Sequence, residues 1–269
     1  MEYREPVDVL PYLPPLDVHV GPVSISVFAL LLGASVLVAI ELAARRASSF
    51  QLVPANVAAF TIWVAVPALV LAHLVHALWH RPQLVAQDPS FLVDVTSGLS
   101  FVGGFVGACM GIALWRRLAD DPVLPYLDAV ASVAPIGWVV ARLGCTVAHH
   151  HPGIRTTGDN PLAFAYPDGA RWDLGLLELL LAALCSFALL ALWQRPRPVG
   201  TYLAIVFLLY APSRFALDFL RASPAHGGDP RYAGLTPAQW VCLLLLPIGL
   251  AAWRAATEER GRGRRAAPG

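Results

Sequence analysis

Residues 208–221 read LLYAPSRFALDFLR, and residues 135–145 read PIGWVVARLGC. Each places an arginine, Arg214 and Arg142, in or at the edge of an apolar stretch long enough to cross a bilayer, for which about 20 residues suffice. A guanidinium cannot shed its charge, and putting one in hydrocarbon costs at least about 2.5–3.5 kcal/mol on insertion scales. A carboxylate or a bound phosphate is the usual compensation. The two stretches therefore point to an all-α, polytopic membrane protein that handles an anionic head group within the bilayer.

The rest of the chain agrees. Of 269 residues, 57% are hydrophobic and only 14% charged, against about 25% charged in a soluble domain, and the mean hydropathy is +0.60. The net charge of +1 implies no bulk polyanion partner, and no feature suggests nucleic acid. All 19 basic residues apart from histidine are arginine. Apolar length predicts seven spanning helices, over residues 22–42, 54–79, 98–116, 124–143, 174–193, 200–220 and 236–254, in a single membrane domain of residues 1–269. Polar, Pro/Gly-rich stretches separate them, the longest being HHHPGIRTTGDNPLAFAYPDGARWD, and residues 255–269 form a basic tail. The opening MEYREPVDVLPYLPP lacks a basic n-region, so it does not read as a signal peptide. Cys109, Cys145, Cys185 and Cys242 are far apart and without a CxxC, as expected of buried free thiols.

Arginine placement sets the orientation. With the C-terminus inside, Arg45, Arg46, Arg116, Arg117, Arg195, Arg197 and the five arginines from Arg254 onward are cytoplasmic; Arg4, Arg81, Arg155, Arg171, Arg221 and Arg231 are external. The excess favours N-out, C-in. The polar residues within the spans then gather at outer-leaflet depth, which scattered structural polar groups would not do.

Arg214, Asp218 and Arg221, at i, i+4 and i+7, share one helix face, with Pro212 just before them. They form either a self-neutralising ladder or an arginine oriented by Asp218 to hold phosphate. Glu178, in LGLLELLLAA, is a counter-ion for Arg142 or Arg214, or a functional acid. In FVGGFVGACMG (101–111), Gly103, Gly104, Gly107 and Gly111 serve close helix packing or admit a head group to bare backbone. His73, His76 and His80 align along one helix side, and His149, His150 and His151 form a run. Imidazoles at such spacing can present to a metal, but no matching carboxylates accompany them, so no metal and no cofactor is expected; base or interfacial roles fit better.

With these residues in place, the chain resembles the prolipoprotein diacylglyceryl transferases over about residues 17–254. VGPVSISVFALLLG (20–33) is similar to that family's first-helix opening, and GLSFVGGFVGA (98–108) to its GMSFHGGLxGA. ARLGCTVAHHHPG (141–153) is similar to the signature GRIGNFINGELYG, QRPRPVG (194–200) to RKPRPxG, and YAPSRFALDFLRASP (210–224) to YGxFRxxxEFFRxPD. The resemblance implies seven helices with the N-terminus outside, in a bacterial inner membrane. It also implies a reaction, transfer of the diacylglyceryl group of phosphatidylglycerol to the lipobox cysteine thiol carried by prelipoprotein signal peptides. Arg142 and Arg214 match the family's two arginines and would bind the phosphate, Asp218 and Arg221 would support Arg214, and Gly103 and Gly104 would admit the glycerol backbone.

Several positions depart from the family pattern. Val102 stands where the family has the histidine proposed as base; Cys145 and Ala148 replace two asparagines, His150 a glutamate, and His73 an arginine. Ahead of the fifth helix, the family's HPSQLYE appears as RWDLGLLE (171–178), keeping only Leu176 and Glu178. Phosphate-handling charge is kept while proton-handling groups are exchanged. The base has then moved to His73, His76 or His150, or the scaffold has been repurposed, either as a non-catalytic lipid-binding accessory protein or as a metal-dependent lipid-modifying enzyme built on the histidines.

Overall fold

A computed structural model describes residues 9–20, 23–94, 98–226 and 228–266. Arg4, the Gly21–Pro22 pair of the opening motif and the last three residues of the basic tail lie outside it.

The chain is not purely helical. DVHV and VSIS alternate apolar and polar residues with period two, and they pair antiparallel as β1 (Asp17–Val20) and β2 (Val23–Ser26), with Val18 opposite Ile25. The first helix therefore starts later than its apolar run. α1 is Val27–Arg46, capped by the Ser26 hydroxyl, which accepts from the Ala29 N–H at 3.2 Å. α2 (Pro54–Val75) opens on a proline, where the missing N–H costs nothing, and its last turn widens into a π-helix over His76–His80. A short α3 (Pro82–Gln87) leads to α4 (Phe101–Leu118), capped by the Ser100 hydroxyl.

α4 lies on α2 with almost nothing between them. Gly103, Gly107 and Gly111 sit over the carbonyls of Leu71, Pro67 and Trp63, four residues apart on each helix. A Cβ at Gly103 would come within 2.9 Å of the Ala72 Cα, and one at Gly107 within 2.6 Å of the Pro67 carbonyl carbon. The glycine stripe thus serves helix packing.

The fourth predicted span is broken. α5 (Val123–Ala131) and α6 (Ala134–Val147) meet at 49°. Pro135 in the first turn of α6 has no N–H to return to Ala131, so one continuous helix cannot form. The stretch that follows, which the sequence gives as a linker, is a three-stranded antiparallel sheet of order β3-β5-β4: β3 Pro152–Arg155, β4 Ala163–Tyr166 and β5 Gly169–Asp173. Pro167, Asp168 and Gly169 make the turn, with Gly169 at φ 123°. α7 (Leu174–Leu190) starts on Asp173, whose carboxylate accepts from the Leu176 N–H at 3.1 Å. α8 (Thr201–Leu217) and α9 (Pro237–Ala266) complete the fold and pack along each other.

Five of these helices are long and apolar enough to cross a membrane, six if α5 and α6 count as one bent span; α7, with 17 residues, is shorter. Large apolar side chains point outward along them, among them Leu37, Val66, Leu184, Phe187 and Leu244. A soluble monomer would not expose such a belt, and a bilayer covers it. Inside, one cluster around Phe60, Trp115, Tyr126, Tyr202 and Val206 fills the end where α4 finishes and α8 begins. A smaller one, Tyr210, Ala211, Val241, Cys242 and Leu245, lies toward the other end, with Val102 and Phe105 of α4 packed on it.

Candidate functional site: a buried arginine–carboxylate centre

Three helices converge on the arginines. Arg142 comes from the second half of α6, Glu178 from the second turn of α7, and Arg214 from the last turn of α8. One Glu178 oxygen, Oε2, lies 2.6 Å from Arg142 Nη2 and 3.3 Å from Arg214 Nε. The Glu178 and Arg214 side chains are 1% and 3% exposed, while that of Arg142 keeps 20%. The contacts are close but poorly aligned. Neither Glu178 oxygen receives a well-formed hydrogen bond, and Arg214 Nε–H donates none. Hydrogen-bonding capacity is left over at the centre of the site.

Asp218 is fully engaged. It accepts from Arg214 Nη1 at 2.6 Å, from Arg221 Nε at 3.0 Å and from the Thr236 hydroxyl. Thr236 is in turn held by Gln239, whose Oε1 accepts the Thr236 N–H at 2.9 Å and whose Nε2 donates to the Phe215 carbonyl at 3.0 Å. Thr236 and Gln239 are fully buried. No sequence signal marked them, since they open α9 as ordinary polar residues. Arg221 does not continue the α8 face as its i+7 spacing suggests. α8 ends at Leu217, a 3-10 turn spans Asp218–Leu220, and Arg221 is extended. It still reaches Asp218, and its Nη1 also meets Asp229 at 3.3 Å.

The sheet closes over this centre. Gly153 of β3 bridges to Arg221, and the Ala222 N–H donates to the Pro152 carbonyl at 3.2 Å. A Cβ on Gly153 would fall 2.7 Å from the Trp172 carbonyl oxygen, so only glycine fits at the end of the AHHHPG run. Beside it, Asp173 Oδ2 accepts from Tyr166 at 2.8 Å and lies 2.9 Å from His149 Nδ1, with Tyr12 stacked on the imidazole at 4.4 Å. Arg171 is pinned by Asp168 and by the Gly153 carbonyl, and its hydrogen bonds hold the Asp168 carboxyl well below the usual carboxylate range. His149 is thus a structural member of the sheet.

The other histidines divide. His73 is buried, with Nε2 3.0 Å from the Leu92 carbonyl, which ties α2 to the segment after α3. His76 lies against Gly98 and stacks with His80 at 5.9 Å. His150 is exposed, its ring edge-on to Phe28 at 4.5 Å. The imidazole within the field of Arg221, Arg142 and Arg214 is that of His151. Burial, reinforced by those three charges, pushes it well below the ordinary histidine range. Gly103 and Gly104 face α2, at the backbone of Leu71 and Ala72 and at the Ala72 Cβ. Cys145 Sγ is 3.9 Å from Arg142 Nη1; Cys145, Cys185 and Cys242 are buried free thiols, whereas Cys109 is exposed. Among the described residues no three His, Cys, Asp or Glu side chains are arranged to hold a metal.

In the interior the account is three guanidiniums against two carboxylates, Glu178 and Asp218. Asp229, at the rim and 37% exposed, meets only the outer side of Arg221. With Asp229 counted, three guanidiniums meet three carboxylates, and Arg142 is the guanidinium that remains partly open.

This is a polytopic membrane protein with an arginine–carboxylate centre inside it. Residues 15–255 match the family of prolipoprotein diacylglyceryl transferases, and the chain belongs to that family. It is 29% identical over 251 residues to the phosphatidylglycerol–prolipoprotein diacylglyceryl transferase of Nitratidesulfovibrio vulgaris, covering 89% of this chain and 92% of the relative. The enzymes of the same name from Azotobacter vinelandii (27% over 264 residues, 94% and 99% covered) and Chromohalobacter salexigens (29% over 248 residues, 90% of each) are similar to it along nearly their whole length.

Proposed function

We propose that this protein transfers the diacylglyceryl group of phosphatidylglycerol to the lipobox cysteine of prelipoproteins, at the outer leaflet of a bacterial inner membrane, from a seven-crossing scaffold with its N-terminus outside. The cysteine thiol gives up its proton, its sulfur forms a thioether bond to the glyceryl carbon, and the carbon–oxygen bond to phosphate breaks with the electron pair leaving on glycerol phosphate. Negative charge grows on the departing phosphate, so fixed positive charge at that point lowers the barrier. Arg142 and Arg214 supply it, Glu178 holds the two guanidiniums apart and aimed, and Asp218 with Arg221 anchors Arg214. The observation that carries this reading is the single Glu178 oxygen shared by the buried Arg214, whose Nε–H is unused, and the partly open Arg142.

The proton acceptor is an imidazole. His73, His76 and His150 are the candidates from sequence; His151 joins them because the strand it precedes pairs with the chain at Arg221 and Ala222. Gly103 and Gly104 act through the α2–α4 packing that sets the depth of α4. The metal-dependent alternative gains nothing from the described side chains.

The test is direct. Purified protein is incubated with phosphatidylglycerol and a synthetic lipobox peptide, and mass spectrometry follows the thioether adduct. An adduct is expected, reduced at least about a hundredfold in Arg142→Ala. Absence of adduct, with one of the named relatives active in the same assay, would refute the proposal.

A further inference from the structure

At the opposite end of α8 from the arginine centre, a shallow groove with a cavity volume of about 110 Å³ opens between the end of α7, α8 and α9. Leu192, Ile205 and Trp253 line it, and Arg197 and Arg260 stand in it. Arg197 is half-buried and Arg260 exposed, and the partners of both differ from those of the arginines that the fold buries. Arg46, nearby, also has an Nε without a hydrogen bond, but its Nη2 donates to the Tyr202 hydroxyl at 3.1 Å and its guanidinium lies over the Trp193 ring at 4.5 Å. Arg171, Arg214 and Arg221 all meet carboxylates. Among the described residues no carboxylate reaches Arg197 or Arg260, and Arg197 Nε is buried without a hydrogen bond. Glu259 lies alongside but is turned to the Val199 N–H, which it accepts at 2.7 Å.

The exposed lining is mostly apolar, and it holds both cations and the Trp253 side chain, 48% exposed. That is the layout of a phospholipid: acyl chain along the helices, phosphate on the arginines, indole at head-group level. A soluble phosphate would leave the apolar walls uncovered, and a neutral lipid would leave the Arg197 donor unmet. We propose that this groove is a second lipid site, occupied by an anionic phospholipid of the leaflet at this end, separate from the reacting centre. Its occupant braces the ends of α7, α8 and α9; the two hydroxyls that line the groove, Thr201 and Thr257, are tied to the Pro198 and Arg254 carbonyls.

Native mass spectrometry of the detergent-solubilised full chain, titrated with phosphatidylglycerol or with phosphatidylcholine, tests this. The wild type is expected to retain two phosphatidylglycerol molecules. Arg197→Gln/Arg260→Gln should retain one, the lost site weakening about thirtyfold, with thioether transfer unchanged. The exposed Arg260→Glu change, which cannot disturb packing, should weaken the same site. If the reaction proposal fails while this one holds, the wild type retains one lipid and the double variant none. Equal lipid retention by wild type and double variant, or equal binding of phosphatidylcholine in the groove, overturns the inference.

Discussion

Replacing Glu178 by glutamine separates a structural counter-ion from a ligand-ready centre. The change keeps shape and removes the one carboxylate shared by Arg142 and Arg214. Removing one partner of a buried ion pair costs about 3–5 kcal/mol, because the remaining charge is left uncompensated. The lower figure applies here, since Arg142 is 20% exposed and part of its charge is solvated. At about 2–4 °C per kcal/mol for a chain of this size, melting in a non-ionic detergent should fall by roughly 10 °C. A lipid phosphate can take the place of the missing carboxylate. Phosphatidylglycerol should therefore restore most of the loss in Glu178→Gln, and raise the melting temperature more than it does in the wild type; phosphatidylcholine should not. Transfer should fall even as lipid affinity rises, because the departing glycerol phosphate is then held too tightly. The reasoning fails if phosphatidylglycerol stabilises wild type and variant equally.

The two arginines should not behave alike. Arg142→Ala is expected to keep the fold and lose phosphatidylglycerol at the arginine centre, whereas Arg214→Ala, which strips Asp218 of a 2.6 Å partner, should lower the melting temperature as well; identical melting of the two would contradict this. Gly107→Ala should destabilise by about 1–3 kcal/mol or more, because the added carbon meets the Pro67 backbone, while Gly33→Ala has open space and should be silent in the same melt. Acid should expose His151. Its folded pKa lies below the unfolded value, so above about pH 6.5 both states are neutral and nothing is lost; as pH falls the unfolded chain takes a proton that the folded one refuses, and stability drops. His151→Gln should flatten the acid limb of a melting-against-pH profile, and an unchanged limb would remove His151 from the arginines' field.

What was legible in the sequence was what chemistry makes expensive. Arg142, Glu178, Arg214 and Asp218 announce themselves because charge in an apolar run must be compensated, and compensation brought them together. The spacing of Gly103 and Gly107 left two readings, close helix packing or admission of a head group, and the structure sets both glycines against the α2 backbone. The sheet was harder. YPDGAR carries a turn signal at Pro167, Asp168 and Gly169, yet its strands are four or five residues long and sit between two spans, where hydropathy reads only polarity. The break before Pro135 was hidden because the flanking residues are as apolar as any span. The histidines show the limit most clearly. Spacing put His73, His76 and His80 on one helix side, but the π-turn from His76 changes the period there, and it is backbone pairing that sets His151 near the arginines: Pro152 pairs with Asp173 and accepts from Ala222, drawing the residue before it against Arg221. A residue delivered by strand register leaves no periodic trace in the sequence. A titratable group at such a position is therefore visible only once the strand pairing is known.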